Sequence, residues 1–406
     1  MKRSSRNPML SACMIVKNEQ ESLARCLASL AGIVDEVVVV DTGSTDETLT
    51  VAREFGAKTY KFEWADDFNK ARNFSVAKAQ HPWVLVIDAD EELERESGTK
   101  LKDLLAKTPY NALAVQVHNY LGDAPSPELM IGSSVRLFRK DKSFEYRGRI
   151  HEDITPSIVE RGERIDTSEI ILHHYGYLKA TAQNESRFDR NVRLLRQQLD
   201  DNPDDGNAWF YLGTEYFVAE RHAEAFACYQ KAVAIMDGKS GLRPRLVRNM
   251  VESLRKTGWL AEAQQLVLTA LQDYPDYPDL WFLRGLIEEA NNESSAAVES
   301  LTKAATMDYS LKYETNVTAT REKANMSAAR ILLKQGRPVD CLERLMDVIA
   351  ANPRLVPAYT LAVQAYLSLG QLEAADELLR LAVRLEPSLK EQLGGVAEKI
   401  ARLRNR

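Results

Sequence analysis

Four valines in succession, Val37 to Val40, constrain this chain more than any other stretch of it. β-branched side chains are stiff at χ1 and suit a pleated strand. Successive strand residues point to opposite faces, so an unbroken apolar run has to be covered on both sides. A parallel sheet with helices on each face does this. Two further runs have the same character, Leu10–Val16 and Trp83–Ile87. Between the strands the periodicity turns helical. Glu19–Leu30 places Leu23, Cys26, Leu27 and Leu30 on one face. Thr45–Phe55 opens on Ser44-Thr45-Asp46, a good helix start, and Phe68–Ala79 reads as a third helix. Short strands are expected at Lys58–Phe62, Ala112–His118 and Ser134–Phe138, with a loop at Gly122–Pro127 between the last two. The first part of the chain is therefore expected to be an α/β domain of nucleotide-binding type.

Near residue 200 the alternation stops and the pattern becomes helical and repetitive. Trp209, Leu212, Gly213, Tyr216, Ala225, Tyr229 and Ala232 match the tetratricopeptide signature in order, a repeat of about 34 residues. Later registers carry Ala263, Val267 and Ala270, then Trp281, Gly285, Ala297, Leu301 and Ala304, and finally Tyr359, Ala375, Leu379 and Ala382. Small residues fall where two helices touch, and large ones fill the gap beside them. The spacing is uneven, with extra residues near Gly238–Arg243 and Tyr309–Thr320. The expected domains are an α/β domain over 1–180, a linker helix over 181–205, about five repeats over 206–388 and a capping helix over 389–406. Leu194, Leu195 and Leu199 of the linker helix are placed to pack on the first repeat.

Bulk properties narrow the function. The formal net charge is −6, which gives no basic footprint for nucleic acid. No apolar stretch approaches the length of a membrane span. Leu10–Val16 runs straight into Lys17-Asn18-Glu19, so it reads as a strand and not as a signal-peptide core. The 4 cysteines, Cys13, Cys26, Cys228 and Cys341, form no Cys-x-x-Cys pair. Reduced thiols, no zinc site and a cytoplasmic setting are expected.

The chemistry concentrates at Asp88-Ala89-Asp90, where the run Trp83–Ile87 leaves the sheet. Ligands gather at such strand exits in open α/β sheets. Paired carboxylates there suit a hard divalent cation that shares its oxygen ligands with phosphates. Alone, the pattern also fits a polar strand end leading into Glu91-Glu92-Leu93-Glu94.

Three upstream segments set that pair in context: Ser11-Ala12-Cys13-Met14-Ile15-Val16-Lys17-Asn18-Glu19, Val40-Asp41-Thr42-Gly43-Ser44-Thr45-Asp46 and Ala71-Arg72-Asn73. With Asp88-Ala89-Asp90-Glu91 they resemble, in order and spacing, the family-2 glycosyltransferases of GT-A fold. The resemblance covers residues 1–180. It implies that Val16, Asn18, Glu19 and Asp41 hold the base and ribose of a sugar nucleotide. It puts Asp88 and Ala89 in the donor site, Asp88 by the ribose or the metal. It puts Asp90 on a divalent cation, Mn²⁺ or Mg²⁺, that bridges the diphosphate. Asp41 could also cap the turn before Ser44, and Arg72 could either brace the sheet or contact the diphosphate. Trp64, Phe68 and Phe74 are read as core and not as a sugar platform.

Arg136-Leu137-Phe138-Arg139 and Gly148-Arg149-Ile150-His151-Glu152-Asp153 resemble the acceptor side of the same family. An inverting transferase needs a carboxylate to deprotonate the attacking acceptor. Glu152 is the first candidate and Asp153 the second; the alternative pairs the carboxylate with Arg147 or Arg149. Related enzymes use a histidine near His173-His174-Tyr175-Gly176-Tyr177 as a further metal ligand, and strand geometry lets only one of His173 and His174 face the site. The pairing with repeats looks like the bacterial enzymes that glycosylate bacteriocin peptides, of the sublancin S-glycosyltransferase type.

The expectation is a metal-dependent inverting glycosyltransferase using a nucleotide sugar, first of all a uridine diphosphate sugar. The repeats would recruit a peptide or protein acceptor through Cys, Ser or Thr, or pair two subunits as a homodimer. A glycan acceptor, a catalytically silent scaffold and a nucleotidyltransferase are the competing readings. The last is ranked lowest, since no Gly-rich phosphate loop with a following Lys is present.

Overall fold

The computed structural model describes residues 9–121, 128–176, 184–238, 240–307, 313 and 317–404. The expected loop at Gly122–Pro127 and Tyr177 lie outside the described residues, as does part of Tyr309–Thr320. Residues 9–249 belong to one compact unit; residues 250–307 and 317–404 belong to a second.

In chain order the α/β part runs β1 (Leu10–Val16), α1 (Leu23–Leu30), β2 (Glu36–Asp41), α2 (Thr48–Glu54), β3 (Lys58–Lys61), α3 (Phe68–Lys78), β4 (Trp83–Val86), β5 (Glu91–Leu93), α4 (Arg95–Lys107), β6 (Ala112–Leu121), β7 (Glu128–Arg139), α5 (Thr155–Glu160) and β8 (Ile165–His174). The sheet order is β3-β2-β1-β4-β7-β6-β8-β5. The expected parallel sheet is only its first half. β3, β2, β1 and β4 run parallel, but β7 pairs antiparallel with both β4 and β6. β8 lies parallel to β6 and antiparallel to β5.

The valine run does what its chemistry requires. Val39 sits in one buried cluster with Leu23, Leu27 and Leu30 of α1, while Val38 and Val40 sit in another with Val76 of α3. The strand thus feeds two cores, one on each face of the sheet. Helices α1 and α2 begin later than the periodicity suggests. Before α1, the Ser22 and Leu23 amides donate to Glu19 O in a turn. Before α2, Asp46 accepts from the Thr48 amide and hydroxyl. The elements β5, α4, α5 and β8 are not announced by the pattern; three residues of β5 are too few to display a period.

The helical part begins with α6 (Asn184–Asp201), α7 (Gly206–Val218), α8 (His222–Ile235) and α9 (Arg243–Lys256). It continues with α10 (Leu260–Asp273), α11 (Pro278–Ala290), α12 (Ser294–Thr306), α13 (Val317–Lys334), α14 (Pro338–Ala351), α15 (Val356–Ser368) and α16 (Leu372–Leu385). It closes with α17 (Leu389–Gln392) and α18 (Gly394–Arg404). α6, expected as a linker, packs on α7 with Leu194 and Leu195 fully buried. The expected capping segment breaks into α17 and α18; Leu389, Ile400 and Leu393 between the two helices close the core containing Leu379 and Ala382.

Repeated local devices underlie the repeated signature. Trp209 Nε1 donates to Pro203 O at 2.8 Å, Trp281 Nε1 to Pro275 O at 2.9 Å and the Tyr359 hydroxyl to Pro353 O at 3.1 Å. Each aromatic thus closes the turn six residues before it. Among the described residues no helix is long and apolar enough to cross a membrane.

The small residues are sterically enforced. A Cβ on Gly213 would lie 2.6 Å from the Tyr229 ring, and one on Gly285 would lie 2.6 Å from Leu301. Glycine to alanine inside a helix ordinarily stabilises by about 1 kcal/mol. Here the sign should reverse: Gly213→Ala should cost about 1–3 kcal/mol through overpacking. Urea unfolding of the two proteins checks this; a stabilised variant would show that the helices are not held at this distance.

Candidate active site

The parallel strands deliver their carboxyl ends to one edge, where Val16 pairs with Asp41 across β1 and β2. Val16 O accepts from the Thr42 amide at 3.0 Å. Asp41 is buried, and its Oδ1 accepts from the Ser44 amide at 3.0 Å. Its Oδ2 accepts no hydrogen bond among the described residues. Asp41 therefore caps the turn through Oδ1. Asn18 has left-handed backbone (φ 56°), which asparagine tolerates. It is tied to the turn after β2: its amide donates to Ser44 Oγ at 2.9 Å and its Oδ1 accepts from the Thr45 amide at 2.8 Å. The Glu19 amide donates to Thr48 Oγ1 at 2.7 Å, and its carboxylate accepts from the Ser22 hydroxyl. Donor-site candidates on two strands are thus locked to each other before any ligand binds.

Beyond β4 the site is a chain of alternating charge. Arg72 on α3 is buried; its Nε and Nη2 both donate to Glu152 Oε1, at 3.0 and 2.8 Å, and its Nη1 donates to Asp88 Oδ1 at 2.8 Å. Arg136 on β7 reaches the other oxygen of Asp88 at 3.3 Å and Glu91 Oε1 at 2.9 Å. Glu91 Oε2 accepts from the Asp88 amide at 2.8 Å. Buried charges persist only when paired and hydrogen-bonded, and every member here meets an opposite charge. Burial works against the Asp88 carboxylate, yet Arg72 and Arg136 outweigh it and hold its pKa well below the usual range. Glu91 goes the other way: burial and the charge of Asp88 raise it despite Arg136. Arg72 also lies over the Tyr146 ring at 5.9 Å, and Asn73 pins the Tyr146 backbone through two bonds of 2.9 and 2.8 Å.

Asp90 and His174 stand beside this chain. His174 Nε2 lies 3.4 Å from Asp90 Oδ2, and Nδ1 lies 2.8 Å from Asn119 Oδ1. Asn119 Nδ2 donates to Met130 O and Val117 O, which turns its carbonyl oxygen toward the ring. An acceptor at Nδ1 assigns the proton there and leaves Nε2 facing Asp90. Burial opposes charge on His174, but the Asp90 carboxylate overcomes it and raises the pKa. Gly176 opens the space in front: a Cβ there would overlap the Asp90 carboxylate and lie 2.7 Å from His174 Nε2. A carboxylate oxygen and an oriented imidazole nitrogen lining a glycine-made gap fit a divalent cation. Among the described residues no three His, Cys, Asp or Glu side chains converge on one point. His173 points away from this gap and contacts the Tyr120 hydroxyl at 2.9 Å.

The two acceptor-side carboxylates part company. Asp153 Oδ1 accepts from the Thr155 amide at 2.9 Å, where α5 starts, and its backbone pairs with Arg147. Glu152 does not pair with Arg147 or Arg149. Its Oε1 is held by Arg72, and Oε2 accepts no hydrogen bond among the described residues. Of the aromatics, Phe74 packs against a core cluster, whereas Trp64 and Phe68 make an edge contact at 4.7 Å and remain half-buried.

Arg136, Glu91, Asn119 and Gly176 are site residues that sequence patterning alone does not single out. Arg136 carried a signal, since a charge inside Val135-Arg136-Leu137-Phe138 has to meet a partner. Asn119 carried none, because its role depends on the β6–β8 register that pairs it with His174.

Residues 11–160 match the glycosyl transferase family 2 model, and residues 181–239, 249–308 and 356–389 match tetratricopeptide repeat models. The chain carries a family-2 glycosyltransferase domain followed by tetratricopeptide repeats. It is 36% identical over 211 residues to a TPR repeat-containing protein of Synechococcus elongatus, covering 50% of this chain and 51% of that one. It is 24% identical over 234 residues to the prophage-derived glycosyltransferase SunS of Bacillus subtilis, covering 56% of this chain and 54% of that one. An uncharacterized glycosyltransferase of Rickettsia felis is 39% identical over 97 residues, 24% of this chain and 34% of that one. The chain thus spans about half, or less, of the length of these curated relatives. The repeat match begins at residue 181, so it takes in α6.

Arg136→Met tests the charge chain. It strands Glu91, which is 1% exposed, and should destabilise the protein by about 3–5 kcal/mol. A carboxyl raised in the folded state favours folding below its unfolded pKa and ceases to as pH rises through the folded one. The penalty should therefore shrink as pH falls through the raised folded pKa of Glu91 and be gone near its unfolded value of about 4.3. Denaturation at several pH values checks it; a small, pH-independent loss would contradict the pairing.

Proposed function

We propose that this protein is a metal-dependent, inverting glycosyltransferase. It moves a sugar from a nucleoside diphosphate sugar, with uridine diphosphate sugars the first class to test, onto a Cys, Ser or Thr side chain of a peptide or protein. The carrying observation is the juxtaposition of the Asp90–His174 gap with Glu152 Oε2 through Asp88 and Arg72, within a domain that matches family-2 glycosyltransferases. In this reading Val16, Asn18, Glu19 and Asp41 bind base and ribose at the ends of β1 and β2. Asp90 and His174 hold the cation, Mn²⁺ or Mg²⁺, and Asp88 with Ala89 lines the diphosphate. When bound, the cation neutralises charge on the leaving diphosphate.

The acceptor sulfur or oxygen attacks the anomeric carbon on the face opposite the diphosphate. The bond from that carbon to the phosphate oxygen breaks, and its electron pair leaves with the diphosphate. The acceptor proton passes to Glu152 Oε2. Arg72 fixes the other oxygen of Glu152, so the base is preorganised. A thiol acceptor needs the base less, since a thiolate is already a good nucleophile. The repeats recruit the acceptor or pair two subunits. The buried free thiols of Cys13, Cys26, Cys228 and Cys341 fit a reducing, cytoplasmic setting.

Calorimetric titration with a panel of nucleoside diphosphate sugars, with Mn²⁺ and then with chelator, tests the reading. One uridine diphosphate sugar should bind, and chelator, Asp90→Ala or Gly176→Ala should each weaken it at least about tenfold, the expected scale for a lost charge-assisted contact. No binding by any member to the folded protein would favour a scaffold without catalysis. Pyrophosphate as the product, in place of nucleoside diphosphate, would favour nucleotidyl transfer.

A further inference from the structure

We propose that α6 and α7, the first helices of the helical part, position the loop that carries Glu152, with Gln198 and Tyr211 as the positioning residues. The inference rests on the reading of Glu152 as the base. The loop is held from two sides. On the α3 side, the Phe68 amide donates to Arg149 O at 2.8 Å and Asn69 Nδ2 to Gly148 O at 3.2 Å. The same helix supplies Arg72, the clamp on Glu152.

On the other side the partners come from α6 and α7. The Arg149 amide donates to Gln198 Oε1 at 2.7 Å, and the Arg149 guanidinium reaches Asp201 at 2.6 Å. Gln198 Nε2 donates to Asp205 Oδ2 at 2.7 Å, and Asp205 caps α7 through the Ala208 amide. His151, the residue before Glu152, is held at φ 52°, where a residue with a Cβ is strained. Its ring stacks on Tyr211 with centroids 4.2 Å apart and planes 15° apart, and its Nε2 lies 3.4 Å from Glu215 Oε1. Glu215 Oε1 is fixed in turn by Asn191 Nδ2 at 2.8 Å. Strained backbone persists only where its surroundings over-determine it, and those surroundings are Tyr211 and Glu215. Gly148 holds a left-handed φ of +97°, which favours glycine, and a Cβ there would lie 3.3 Å from Ile150 O.

It follows that the start of the helical part belongs to the catalytic unit. An α/β domain cut at residue 180 would keep Arg72 but lose half of what sets Glu152 against it.

The experiment uses the full chain with Gln198→Ala, Tyr211→Ala and Tyr211→Phe, and has two readouts. Amide hydrogen exchange needs no ligand. Peptides covering 147–154 should exchange about tenfold faster in both alanine variants, the equivalent of one lost net hydrogen bond, with 83–87 unchanged. Tyr211→Phe keeps the ring and should exchange like the parent. Release of UDP from UDP-glucose with water as acceptor is the second readout. The alanine variants should lower kcat by about ten- to a hundredfold with KM for the donor unchanged, as a displaced base does. In a Glu152→Gln background Tyr211→Ala should add little. Unchanged exchange over 147–154 in both alanine variants overturns the proposal, whatever the activity. Faster exchange there, with Glu152→Gln as active as the parent, supports the positioning and removes Glu152 as the base.

Discussion

The Arg72 guanidinium is the interaction on which the site depends. One side chain joins Asp88, at the end of a central strand, to Glu152, on a loop 80 residues from Arg72 in sequence. A buried arginine is tolerable only with its donors satisfied, and here three N–H bonds go to the two carboxylates. Arg136 likewise joins Asp88 and Glu91 through Nη2, while its Nε has no hydrogen-bond partner among the described residues. The result is five alternating charges from four segments of chain. Removing Arg136 leaves Glu91 buried without a cation, and removing Arg72 leaves the partly buried Glu152 without one, so the network fixes geometry more than it adds net stability.

The mixed sheet makes this convergence geometric necessity. The parallel half brings Asp41 and Asp88 to one edge, and the antiparallel entry of β7 beside β4 delivers Arg136 to that edge from the opposite direction. β8, beside β6, adds His174 across from Asn119. The short β5 then pairs Glu91 with His174, which brings the last strand against the acidic motif. The gap in front of Asp90 exists because residue 176 has no Cβ.

Much of this was legible in the chain. The valine run announced a strand buried on both faces, and Val39 against Val38 and Val40 divides accordingly. The repeat signature foretold Gly213 against Tyr229 and Gly285 against Leu301, because small-against-large spacing is a local property. The choice between His173 and His174 was framed by strand alternation but needed the register to settle which faces Asp90. The partner of Glu152 was not legible. Arg147 and Arg149 are neighbours in sequence, while Arg72 is a neighbour only in space. Asp153, the second candidate after Glu152, has one carboxylate oxygen spent on the Thr155 amide.

A double-mutant cycle with Asp88→Asn and Glu152→Gln, read as free energy of unfolding, tests the bridge most directly. The two carboxylates are joined through Arg72. If Arg72 couples them, the effects should be non-additive by about 1 kcal/mol or more. Additivity within about 0.5 kcal/mol would mean independent sites and would contradict the account.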